Sequence, residues 1–223
     1  MSVDQTPFAD VGIAMNPEPR CPCMLVLDTS GSMGGQPIQE LNAGLQTLRD
    51  ELVTDSLAMK RVEISIITFG GAVQTVVDFA TAEQFVPPVL TAGGDTPMGA
   101  AIEAAVAAIE SRKQTYRTNG VMYYRPWLFL ITDGAPTDTW KGAAEQAQKA
   151  EVDKKLVIFG VGVEGANFEV LRQFTGKFEP LKLKGLQFRS LFQWLSASQK
   201  SVSRSKVGDD VAPPPVTWGT IPT

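Results

Sequence analysis

Apolar positions along this chain alternate between two periods. Cys23 to Leu27 is an unbroken apolar run that stops at Asp28, as a strand buried on both faces does where its end leaves the sheet. Ile38, Leu41, Leu45, Leu48 and Leu52 then recur at spacings of three and four with Pro37 in the first turn, the pattern of an amphipathic helix. Val62 to Phe69 runs apolar, Gly70-Gly71 permits a tight turn, and Val73 to Phe79 follows, which predicts an antiparallel hairpin. A second helix is predicted from Thr96-Pro97, its face carrying Met98, Ile102, Ala105, Val106 and Ile109. Downstream, Trp127 to Thr132 reads as a strand ending at Asp133, and Lys141 to Val152 as a helix with an alanine stripe. Leu156 to Val163 is the next strand, Phe168 to Phe174 a short helix, Leu181 to Leu183 a last strand, and Phe188 to Ser198 a final helix.

This alternation predicts an α/β fold: a doubly wound, mostly parallel six-stranded sheet with one antiparallel edge strand and helices on both faces. Ligands of such sheets sit beyond the carboxyl ends of the strands, where Asp28 and Asp133 both fall. The expected organisation is an N-terminal extension over 1–20, a single domain over 21–200, and a flexible Pro-rich tail over 201–223. In that tail Pro213-Pro214-Pro215 favours an extended chain. Trp218 is expected to pack back on the domain, with a partner-facing anchor as the alternative.

Composition narrows the function. The chain has 223 residues, 43% hydrophobic and 20% charged, with a formal net charge of −4 and a pI near 5.0. Nucleic acid is therefore not an expected partner. The first residues lack a basic start and an apolar stretch, and no run of about 18 apolar residues occurs, so a cytoplasmic location without membrane contact is expected. Histidine is absent, which removes the usual general base of serine and cysteine hydrolases and the usual zinc ligand. Cys21 and Cys23 are spaced for neither a redox motif nor a zinc site. They are expected as reduced thiols at a strand entrance, with a linked or metal-bound pair as the alternative.

Three distant segments share one chemistry. Asp28-Thr-Ser30-Gly-Ser32, Thr96 within Gly-Gly-Asp-Thr-Pro, and Asp133 together offer five hard oxygen donors. Mg²⁺ takes six oxygens and keeps several waters, so Asp28, Ser30, Ser32, Thr96 and Asp133 can hold such an ion with one position open. Each segment also reads as a turn or helix cap. Asp95 and Asp138 are expected as a solvated rim and a helix cap.

The three elements, in this order at the strand ends of an alternating fold, resemble the metal-ion-dependent adhesion site of von Willebrand factor A domains, with their VWA/Rossmann-like sheet. The resemblance covers roughly residues 22–199. Arg20-Cys-Pro-Cys, Thr91-Ala-Gly-Gly-Asp-Thr-Pro-Met-Gly and Tyr123-Tyr-Arg-Pro-Trp resemble the bacterial tellurium-resistance-associated TerY/YegL-type proteins, which are intracellular and associate with kinase-like and PP2C-like partners. The resemblance implies that Ser30 and Ser32 coordinate the metal directly, that Thr96 joins when the site is liganded, and that Asp28 and Asp133 act through waters. It implies Mg²⁺, with Mn²⁺ or Ca²⁺ as substitutes, and a protein partner that supplies an Asp or Glu carboxylate. A stress-response role follows from the same association.

Two other function classes compete with this binding module. A Mg²⁺-dependent phosphoryl-transfer enzyme would use the strand-end aspartate as nucleophile, but the second carboxylate expected two residues on is Ser30. A metal-independent or nucleotide-binding α/β scaffold is suggested by Gly31, Gly34 and Gly35, although neither the dinucleotide fingerprint nor the P-loop is present. Tyr116, Arg117, Tyr123, Tyr124 and Arg125 combine residue types enriched at interface hot spots and form a candidate partner-binding ridge. The alternative is that Tyr123 and Tyr124 pack along a strand entrance while the charged residues stay in solvent.

Overall fold

The computed structural model describes residues 16–209 and 211–220. Its strands are β1 (Cys21–Asp28), β2 (Val62–Gly70), β3 (Ala72–Thr81), β4 (Trp127–Thr132), β5 (Val157–Gly162), β6 (Leu181–Leu183) and β7 (Gly219–Thr220). Its α-helices are α1 (Gln36–Val53), α2 (Ser56–Arg61), α3 (Met98–Thr118), α4 (Lys141–Val152), α5 (Phe168–Phe174) and α6 (Phe188–Arg204), with a 3₁₀ turn at Gly31–Met33. All seven strands form one sheet in the order β3-β2-β1-β4-β5-β6-β7. The five from β2 to β6 run parallel, while β3 and β7 are antiparallel to their neighbours.

The sheet thus has one strand more than the six expected, and an antiparallel strand at each edge. The addition is β7, from the segment expected to be a flexible tail. Its two residues pair with Lys182 and Leu183, and Trp218 beside it is 1% exposed. Burial of one indole holds a strand that has no apolar pattern of its own. Helix α6 likewise runs six residues past Ser198, because Val202 and Ser203 are buried. Of the expected N-terminal extension, residues 1–15 lie outside the described residues, and Arg20 is 1% exposed at the mouth of β1.

Alternation along β1 divides the core. Cys21, Cys23, Leu25 and Leu27 face one layer with α1 and α6, and Met24 and Val26 face the other with α3, α4 and α5. Gly44 of α1 lets α6 approach closely: a Cβ there would lie 2.5 Å from a ring carbon of Phe192. Both cysteines are free and buried, and burial pushes both thiols well above their ordinary pKa.

Helix α2, absent from the periodicity reading, is set by its cap. Asp55 accepts N–H bonds from Leu57 and Ala58, each 3.0 Å, and pairs with Arg204 of α6. Burial opposes its charge, but these two amides and the guanidinium outweigh that and hold the carboxyl below its ordinary pKa. Its contribution to stability is present above the unfolded pKa, about 3.9, and fades as pH falls through the lower folded value. Asp55→Ala is expected to cost about 1–2 kcal/mol at pH 7 and clearly less near pH 3, read from urea unfolding at the two pH values.

Candidate metal site at the sheet switch point

Strand β1 is followed in the sheet by β2 on one side and β4 on the other. Chain direction reverses its winding between β1 and β4, opening a crevice beyond their carboxyl ends. Asp28 ends β1 and Asp133 follows β4, so both acids reach this crevice.

Three loops are tied together there by backbone hydrogen bonds. Thr29 N–H donates to Phe69 O at 3.0 Å, Gly93 N–H to Thr29 O at 2.8 Å, Gly31 N–H to Gly94 O at 3.0 Å, and Gly71 N–H to Asp95 O at 2.9 Å. Gly94 has φ 78°, and a Cβ on it would lie 2.5 Å from the amide nitrogen of Gly71. Glycine is therefore required at the closest approach of the two loops. Thr96 is held against a fourth loop, the one after β4, by Thr137 N–H to Thr96 O at 3.0 Å and by Thr96 N–H to Thr137 Oγ1 at 3.1 Å.

This scaffold places the side-chain oxygens in an arc. Ser30 Oγ and Ser32 Oγ are 3.1 Å apart, and Ser32 Oγ donates to Asp133 Oδ1 at 2.7 Å. Behind them Asp28 is wholly buried. Its Oδ1 accepts from Ser30 N–H at 2.8 Å and its Oδ2 from Thr132 Oγ1 at 2.5 Å. Burial raises the Asp28 pKa, the bonds from Ser30 and Thr132 lower it, and the nearby Asp133 charge raises it, with a net upward shift. Thr96 is mostly buried, and its Oγ1 would lie 3.8 Å from a Cβ on Gly134, which brings it beside the Asp133 loop.

The structure thus gathers all five sequence-derived positions at one sheet edge. Capping of α3, one expected role for Thr96, falls elsewhere. The helix begins at Met98 rather than Thr96, and Asp138 receives the amides of Gly99 and Ala100 at 3.0 and 2.9 Å. Asp138 is the helix cap expected, and Asp95 is exposed. Thr132 escaped the sequence reading. Its hydroxyl locks Asp28 and accepts Gly134 N–H at 3.1 Å, a role signalled only by a polar residue closing an apolar strand.

The expected ridge is divided. Tyr116 is buried, donating to Glu63, and Tyr124 is buried, donating to Ser205 O at 2.5 Å. Neither presents a partner surface, because both rings pack in the fold. Arg117 and Arg125 are exposed and Tyr123 half-buried, with Arg117 donating to Tyr123 Oη at 3.1 Å. All lie at the amino end of β4, away from the oxygen arc. Near the arc, the missed surface feature is Val89, 84% exposed, on the wall of a crevice that includes Thr29 and Gly93.

Among the described residues no three His, Cys, Asp or Glu side chains gather as a metal cluster. Hydroxyls supply most of this donor set instead. An α/β sheet of this strand order, with the hydroxyl-and-carboxylate arc at its switch point, places the chain in the doubly wound class. The von Willebrand factor type A domain family matches residues 23–181, and the chain belongs to it.

Curated proteins give no sequence match. Among solved structures, the chain is similar to the pilus adhesin SpaC of Lactobacillus rhamnosus GG, with 14% identity, 84% of this chain and 32% of that one covered, and a TM-score of 0.67. It is also similar to proximal thread matrix protein 1 of the mussel byssus with a zinc-occupied MIDAS motif, at 14% identity, 82% and 48% coverage, and a TM-score of 0.56. Manganese-loaded TRAP protein of Plasmodium vivax shares 20% identity over 77% of this chain and 71% of that one, with a TM-score of 0.54. The chain spans about half or less of the adhesin and the mussel protein. At these identities the likeness is one of fold. No helix among the described residues is long and apolar enough to cross a membrane.

Proposed function

We propose that this chain is a metal-dependent protein-binding module, in which a divalent cation at the β1–β4 crevice grips an acidic side chain of a partner. The observation that carries this reading is the continuous arc from Ser30 Oγ through Ser32 Oγ to Asp133, backed by a buried Asp28. Its donors are all hard oxygens, which fits Mg²⁺ first, with Mn²⁺ or Ca²⁺ as substitutes. Ser30, Ser32 and Thr96 are the direct ligands in this proposal, and Asp28 and Asp133 act through water. When bound, the cation supplies an electrophilic position for a carboxylate, because few of its direct ligands are anionic. Asp28 meanwhile fixes the turn at Ser30, and Asp133 orients the Ser32 hydroxyl.

Binding rather than turnover is the proposed activity. Asp28 is buried with both oxygens engaged, and residue 30 offers a hydroxyl where a phosphotransferase of that design uses a carboxylate. The resemblance to TerY/YegL-type proteins supports a cytoplasmic setting, a stress-response role including tellurium resistance, and kinase-like or PP2C-like partners. Metal-loaded relatives of the same fold support the cation.

Thermal unfolding in millimolar Mg²⁺ or Mn²⁺ against EDTA tests the proposal, since a ligand at a hundredfold its Kd adds about 2.7 kcal/mol to the native state. The expected result is a rise of about 5–11 °C for the wild type, and little or none for Ser30→Ala. An equal rise in both proteins places the ion elsewhere.

A further inference from the structure

The oxygens of the crevice are fixed in two different ways. Ser30, Ser32 and Asp133 hold one another side chain to side chain, and Thr132 holds Asp28. The Thr96 hydroxyl makes no such bond among the described residues. Its place beside the Asp133 loop is therefore set by its backbone alone.

That backbone is held at both polar groups from the loop after β4. Thr96 N–H donates to Thr137 Oγ1 at 3.1 Å, and its carbonyl accepts Thr137 N–H at 3.0 Å. The same carbonyl accepts Met98 N–H at 2.8 Å, closing an inverse γ-turn around Pro97, which has φ −76° and ψ 65°. The pyrrolidine ring locks that φ, and Met98 is wholly buried, so Thr96 is joined stiffly to the first turn of α3. Asp138 grips that turn from outside, with Oδ1 accepting Gly99 N–H and Oδ2 accepting Ala100 N–H. An ordinary cap comes from the residue just before its helix. Here Pro97 stands in that place, and the acceptor comes from the loop that Asp133 begins. The approach is close enough to require glycine, since a Cβ on Gly99 would lie 2.7 Å from Trp140 Cα and 3.1 Å from Asp138 Oδ2.

Resting on the reading of this crevice as a cation site, we propose that Thr137 and Asp138 are its positioning residues. They fix the Thr96 hydroxyl against Asp133, so that neither of the two loops shifts without the other. Without Thr137 Oγ1 the Thr96 amide loses its acceptor, and without Asp138 the first amides of α3 lose theirs and the turn frays. Either change lets the hydroxyl drift from the near-octahedral geometry that Mg²⁺ demands.

The test measures Mn²⁺ affinity from the electron paramagnetic resonance signal of the free ion, with urea unfolding in EDTA to show that each variant is folded. Asp138→Ala and Thr137→Val are each expected to bind about 10–100-fold more weakly than the wild type. Thr137→Ser keeps the acceptor and should bind as the wild type does. Because both residues act through Thr96, adding Asp138→Ala to Thr96→Val should weaken binding no further, a non-additivity that a general loosening of the fold does not produce. Thr137 is exposed, so its two variants keep the test decisive if Asp138→Ala unfolds. Additive losses in the double variant, Thr137→Ser as weak as Thr137→Val, or wild-type affinity in Asp138→Ala and Thr137→Val each overturns the proposal while leaving the cation site standing. A wild type that binds no Mn²⁺, or a Ser30→Ala variant that binds it equally well, removes the cation site and its positioning residues together.

Discussion

Asp133→Ala is expected to exchange its stability rank with the wild type between chelator and Mg²⁺. In EDTA the variant should be as stable as the wild type or slightly more so, because Asp133 and Asp28 are like charges, and their repulsion adds to the burial that raises the Asp28 pKa. The one hydrogen bond lost, from Ser32 Oγ, frees a hydroxyl at an exposed residue and costs little. In millimolar Mg²⁺ the order should invert. The wild type gains the binding energy, while the variant loses an anionic water-holder and the group that orients Ser32, a loss worth about 10–100-fold in metal affinity. Capture of an acidic partner should fall with it. Thermal unfolding of both proteins in both conditions makes the check. A variant destabilised equally with and without Mg²⁺ shows instead that Asp133 serves the fold.

Why this site was legible in the sequence, and other features were not, follows from where information lies in the chain. The strands β1, β4 and β5 are buried on both faces, so each is an apolar run, and β1 and β4 end where the site begins. Asp28 and Asp133 stand at those ends, and the topology brings them together without further cues. The helices with three-four spacing were equally visible. Strand β7 was not, because two residues carry no period and pair only through burial of Trp218. Helix α2 is six residues long, and Asp55 rather than periodicity sets it. Tyr116 and Tyr124 looked like hot-spot residues since type alone does not say which way a ring faces. The partner of Tyr116 is Glu63, 53 residues away, and no local pattern encodes that pairing.

Glu63 is the residue whose loss should cost the fold most. It is the second residue of β2 and 1% exposed, with Arg20, also 1% exposed, donating from Nε at 3.1 Å. Arg112 grips both its oxygens, with Nε to Oε2 and Nη2 to Oε1 each at 2.8 Å, and Tyr116 donates its hydroxyl as well. One carboxylate thus compensates two guanidinium groups, that of Arg20 fully buried and that of Arg112 mostly so. Removing one partner of such a buried pair leaves a charge uncompensated and costs about 3–5 kcal/mol. Glu63→Ala is therefore expected to lower the melting temperature by about 6–20 °C, and Glu63→Gln by less, since the amide keeps one acceptor. Replacing the whole group with apolar residues, as in Glu63→Leu with Arg20→Met, Arg112→Leu and Tyr116→Phe, should recover much of the loss, because apolar packing often equals a buried ion pair in stability. If Glu63→Ala costs under about 1 kcal/mol, water reaches the arginines and the pairing is not what closes this end of the sheet. The cluster lies at the amino ends of β1 and β2, while the oxygen arc lies at the carboxyl ends. The folded fraction of Glu63→Ala should consequently keep its full Mg²⁺ shift, separating the residue that holds the sheet shut from those that give it a ligand.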